Sequence, residues 1–112
     1  MTIQTEDRAG VKLVRLHGEL TGGEDQGLIE AVTELLSARQ ARVVLDLGAV
    51  PYSNSAGLGD LVRLVAQANV QEGRIILANL SAYLAGVLEI TKLNRFFEIQ
   101  PTVDAAVDAL TR

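Results

Sequence analysis

Val43-Val44-Leu45-Asp46-Leu47-Gly48-Ala49-Val50-Pro51-Tyr52-Ser53-Asn54-Ser55-Ala56-Gly57-Leu58-Gly59 is the stretch whose reading decides the fold. Its first five residues form a near-continuous apolar, β-branched run, the pattern of a strand buried on both faces in a parallel sheet. Beyond Pro51 come small polar residues suited to a turn. After Asn54 the period changes to that of a helix: Leu58, Leu61, Val62 and Val65 fall on one stripe, while Asp60, Arg63 and Gln67 point away. Strand, turn and helix follow one another without a linker.

Read outward, the same grammar repeats. Thr2–Thr5 and Val11–Leu16 read as two strands joined by the Arg8-Ala9-Gly10 turn. From Glu24 to Ala38, Leu28, Ile29, Val32, Leu35 and Leu36 share one helical face, with Glu30 and Glu34 elsewhere. Gly73 closes the connection to a strand over Arg74–Ala78. Ser81 then caps a helix with Leu84, Val87, Leu88 and Thr91 inward. Phe96–Ile99 predicts a last short strand, and Pro101-Thr102 opens a helix that buries Val103, Ala106, Val107 and Leu110. The expected order is β-β-α-β-α-β-α-β-α, an α/β fold with a mixed, mostly parallel sheet and four main helices. At 112 residues, 1–112 is expected to be one domain.

Composition excludes several roles. Apolar residues make up 48% and charged residues 21%, enough for a real core. There is no cysteine, hence no disulfide or thiolate metal site, and no charged-then-apolar leader opens the chain, so a cytoplasmic setting is expected. Apolar runs are a few residues long, too short to insert in a membrane. Net charge is −4 with scattered Lys and Arg, and aromatics are 4% with no Trp, which argues against nucleic acid. A protein partner is the expectation that remains.

The turn Ser53–Gly59 lies between strand and helix, where unpaired backbone N–H groups and the helix dipole favour an anion. Ser53-Asn54-Ser55-Ala56-Gly57 comes close to the nucleophile elbow G-x-S-x-G. Its first glycine is a serine, however, and the one histidine, His17, lies upstream where a hydrolase of that type needs it downstream. Gly57-Leu58-Gly59 lacks the third glycine of a dinucleotide fingerprint, since Val62 stands there, so tight packing is the reading for Gly57 and Gly59. His17 has no second His or Cys to share a metal. Asp46, at a strand end, reads as an acceptor for backbone N–H groups. No catalytic residue, metal or cofactor is expected. Tyr83, Leu84 and Leu88 are a candidate apolar extension of a partner surface. Leu64, off the main stripe, is a candidate contact with a partner or a second copy, which leaves a homodimer open.

Leu45-Asp46-Leu47 with Val50–Gly59 resembles the signature of STAS domains, a family that includes sulfate-transporter tails and anti-sigma factor antagonists. The similarity extends to Leu16-His17-Gly18-Glu19-Leu20, Ile76–Leu80, Leu88–Leu93 and Phe97-Glu98-Ile99, nearly the whole chain. The family's usual turn is Asp-Ser-Ser-Gly-Leu-Gly, and its phosphorylated serine aligns with Ser55. Asn54 replaces the usual Asp, Ala56 replaces the second serine, and Thr21 stands where antagonists commonly carry Asp.

The resemblance implies a non-enzymatic anti-sigma factor antagonist. It would bind an anti-sigma factor serine kinase while unphosphorylated and be released on phosphorylation of Ser55, with a serine phosphatase to reset it. Thr21, Ser53, Asn54, Ser55, Ala56, Gly57 and Leu58 are the expected partner-binding residues. The missing carboxylates favour an alternative of another class, a constitutive adaptor of the stressosome type or the small subunit of a lipid-transporting ABC complex.

Overall fold

The computed structural model describes residues 1–23 and 27–112. The elements are β1 (Thr2–Arg8), β2 (Val11–His17), α1 (Leu28–Leu36), β3 (Arg42–Ala49), α2 (Ser55–Val70), β4 (Arg74–Ala78), α3 (Ala82–Ile90), β5 (Glu98–Gln100) and α4 (Val103–Thr111). The five strands form one sheet in the order β1-β2-β3-β4-β5. β1 runs antiparallel to β2, and the other pairs are parallel. A two-residue turn joins β1 to β2, with φ 56° at Ala9 and 83° at Gly10; positive φ at both central residues matches the twist of a hairpin.

Each of α1, α2 and α3 links one strand to its parallel neighbour, always stepping in the same direction. Right-handed crossovers therefore place all three on one face of the sheet. Against that face Val14, Leu16, Val43, Leu45, Leu47, Ile75 and Leu77 join Leu28, Val32, Leu36, Leu61, Leu64, Val65, Leu84 and Leu88 in the main core. Helix α4 follows the last strand and covers the other face through Ala106, Val107 and Leu110, which meet Val11, Leu13, Val44 and Ile76. β3 is buried on both faces, Val43 and Leu45 toward three helices and Val44 toward α4.

Several boundaries depart from expectation. α1 runs from Leu28 to Leu36, not to Ala38, with Gly27 before it and Ser37 closing it; Glu24–Gln26, expected to begin the helix, lie outside the described residues. β5 begins at Glu98: Phe96 and Phe97 instead leave an unforeseen 3₁₀ turn over Leu93–Arg95, Phe97 buried and Phe96 exposed. Thr91 is an exposed C-cap whose hydroxyl donates to the Val87 carbonyl at 2.8 Å, so it does not face inward.

The main correction concerns α2. Its buried residues are Gly57, Asp60, Leu61, Leu64, Val65 and Ala68, a stripe rotated from the expected one. The expectation assumed one burying surface, the sheet. A second exists: α1 lies alongside, with Thr33 Oγ1 donating to Gln67 Oε1 at 3.3 Å, and Gly23 N–H reaches Asp60. Leu64 is fully buried and offers no contact to a partner or second copy. Leu84 and Leu88 are likewise core, which leaves Tyr83 half-exposed at the surface.

Gly57 is where the helix meets the chain leaving β2. A Cβ there would stand inside contact distance of the Leu20 carbonyl oxygen and 2.7 Å from Ser53 Oγ, whereas a Cβ on Gly59 would meet open space. Close approach is thus the role of Gly57 and not of Gly59.

Two paired substitutions test this packing by urea denaturation. Leu64→Ala should cost about 2–5 kcal/mol, while Ile90→Ser, at a residue 81% exposed, should stay within about 0.5 kcal/mol. Gly59→Ala should stabilise by about 0.4–1 kcal/mol. Gly57→Ala should instead destabilise by about 1–3 kcal/mol, because backbone overlap outweighs the gain in helix propensity.

Candidate functional site

The turn between β3 and α2 is built from backbone hydrogen bonds to the segment that leaves β2. Leu20 N–H donates to the Tyr52 carbonyl at 2.9 Å, and Asn54 N–H donates to the Leu20 carbonyl at 3.2 Å. Leu20 and Ser53 form an isolated parallel bridge beyond the end of the sheet. Two loops separated by more than thirty residues are therefore fixed to each other at the carboxyl ends of β2 and β3, where partners meet open α/β sheets.

Asn54 is the N-cap of α2. Its backbone is extended, and its Oδ1 accepts from Gly57 N–H at 2.8 Å. An amide oxygen thus serves as a carboxylate would in capping, without the charge. Ser55 is the first residue of the helix and is exposed, as is Ala56 beside it. The first turn holds no acidic residue, so no carboxylate within that turn meets the positive end of the dipole.

The expected site residues divide into two kinds. Ser55 and Ala56 are exposed, and Thr21, Asn54 and Leu58 are partly buried. Ser53 and Gly57 are buried and offer a partner no side-chain surface; they hold the turn from within. Ser53 Oγ donates to the Asn54 carbonyl at 3.1 Å, and the Ser53 carbonyl accepts from Tyr83 Oη at 3.2 Å. The Tyr83 ring lies 5.6 Å from that of Tyr52, so the exposed end of α3 is tied to the turn.

Thr21 lies on the loop that crosses the start of α2. Gly22, with φ 78°, brings its backbone so close to Ala56 that a Cβ would fall 2.8 Å from the Ala56 backbone and Cβ. One residue on, Gly23 N–H donates to Asp60 Oδ2 at 3.3 Å. Asp60 is the residue that sequence reasoning placed on the wrong side. Its signal was available in the spacing: three after Gly57 and four before Leu64, it shares their stripe.

Asp46 is structural. Asp46 accepts from Gly48 N–H and Asn79 Nδ2, both at 3.1 Å, and lies 3.5 Å from Arg15 Nε. His17 ends β2 and is exposed. Among the described residues no group of three or more His, Asp or Glu is placed to hold a metal, and no helix is long and apolar enough to cross a membrane. A cavity of about 230 Å³ is lined by Gly23, Gly27, Ile29, Glu30, Asp60 and Arg63. It lies below the usual size of a small-molecule site and does not include Ser55.

Known proteins share this fold. The STAS domain family model matches residues 2–106. The anti-sigma F factor antagonist of Paenibacillus polymyxa is 29% identical over 112 residues, covering 99% of this chain and 93% of that protein. Among solved structures, an anti-sigma factor antagonist from Mycobacterium paratuberculosis is similar with a TM-score of 0.79 at 24% identity, over 99% of this chain and 94% of that one. The antagonist SpoIIAA in its unphosphorylated form is similar with a TM-score of 0.65 at 20% identity, over 97% of each chain. With the family pattern matched along almost its entire length, the chain belongs to the STAS domain family.

Proposed function

We propose that this protein is an anti-sigma factor antagonist that binds an anti-sigma factor serine kinase through the Ser55 turn and the Thr21 loop, and that phosphorylation of Ser55 releases it. The observation that carries this reading is the placement of an exposed hydroxyl at the first residue of α2, beside a loop held against the same helix. The antagonists among its relatives and structural neighbours supply the class of partner. A serine phosphatase would restore the binding form.

The energetics suit a switch that acts on the partner and not on the fold. A phosphoserine carries about −1.5 to −2 charges at neutral pH. At the start of α2 the dipole and free N–H groups favour such a charge by about 0.3–1 kcal/mol. Within an interface that leaves it unpaired, the same charge costs about 3–5 kcal/mol, or 10²–10³-fold and more in affinity. The domain tolerates what the complex does not.

One observation favours the adaptor reading: Asn54 and Ala56 leave the first turn without acidic residues, so a kinase reading carboxylates at those two positions would find none. The two readings separate on phosphate transfer. Incubation with labelled ATP and the anti-sigma factor kinase of the same genome should label the protein, and Ser55→Ala should abolish the label. In binding measured by titration calorimetry, Ser55→Ala should keep its affinity for the kinase, and Ser55→Asp should lose about 10²-fold or more. Equal affinities with no labelling would support the constitutive adaptor instead.

A further inference from the structure

Asp60 is a charged residue only 7% exposed, on the helix that carries Ser55. A buried carboxylate is costly unless its oxygens are hydrogen-bonded, and Asp60 Oδ2 accepts from Gly23 N–H at 3.3 Å. The contact is not isolated. Ala56 and Asp60 are four residues apart and therefore share one face of α2; Gly22 rests on the first and Gly23 bonds to the second. Leu20, further back on the same segment, presses its carbonyl on Gly57. The segment leaving β2 thus follows α2 for more than one helical turn, and Asp60 is its last anchor before residue 24. No other acidic side chain of α2 is available, since Asp60 is the one Asp or Glu between Ser55 and Val70.

We propose that Asp60 is a positioning residue: its carboxylate fixes the Thr21–Gly23 loop on the flank of α2 and so sets the face that the partner meets beside Ser55. The inference rests on the functional reading above, because it assigns to that loop a part in partner binding. Asp60 itself is covered and acts through the loop, not by touching the partner.

Amide-resolved hydrogen exchange by NMR, with binding to the anti-sigma factor measured on the same samples, tests it. In the unsubstituted chain the Gly23 amide should exchange about tenfold or more slowly than a solvated glycine amide. Asp60→Ala should remove that protection, leave the amides of Val43–Leu47 unchanged, and weaken binding about tenfold or more. Asp60→Asn, which keeps an acceptor oxygen, should recover both. An unprotected Gly23 amide in the unsubstituted chain overturns the proposal even if Asp60→Ala does not fold. So does an Asp60→Ala variant that loses protection yet binds with full affinity. Ser55→Asp run in parallel separates the two claims: if it binds normally while Gly23 behaves as described, the Ser55 reading has failed and the anchor has not.

Discussion

The contact between the Leu20 carbonyl and Gly57 is the constraint on which the site depends. Hydrogen bonds from Leu20 to Tyr52 and from Asn54 to Leu20 lock the chain leaving β2 to the chain leaving β3. Only a residue without a side chain at position 57 lets the helix start directly against that junction. From this one approach follow the cap by Asn54, the exposed place of Ser55 and the path of the Thr21–Gly23 loop along α2. A side chain at position 57 would separate the two loops that form the proposed partner face.

In the proposed switch the arrangement keeps stability and signalling apart. The core of three helices against one sheet face, with α4 on the other, lies beneath the turn, while Ser55 itself is exposed. The turn is satisfied internally: Asn54 binds Gly57, Ser53 binds the Asn54 carbonyl, and Tyr83 binds the Ser53 carbonyl. A charge added at Ser55 enters a region already prepared for anions by the helix dipole. Its cost falls on whatever protein lies against it.

Much of this was legible in the sequence because local periodicity and tertiary burial agree along the strands. Val43–Leu47, apolar at nearly every position and rich in β-branched residues, suits a central strand, and the turn after it bore the family's pattern. Asn54 as a cap needed only its residue type and place. The failures occurred where a second surface covered a helix. Asp60 and Leu64 were assigned outward, but both are buried: Leu64 joins the α1 residues Leu28, Val32 and Leu36 in the core, and Asp60 accepts from Gly23 N–H. Phe96 was drawn into a strand by its β propensity, but the chain turns there through a 3₁₀ segment that sends Phe97 alone into the core. The spacing of Asp60 shows its buried side, but nothing in the sequence pairs it with Gly23, thirty-seven residues away.

The measurement that bears most directly on the account is NMR mapping of the partner on the labelled protein, before and after stoichiometric phosphorylation. Addition of the anti-sigma factor should shift the amides of Thr21–Gly23 and Ser55–Leu58 together, leave α4 unaffected, and produce no shifts once Ser55 carries phosphate. Shifts centred on α4, or an unchanged map after phosphorylation, would contradict it.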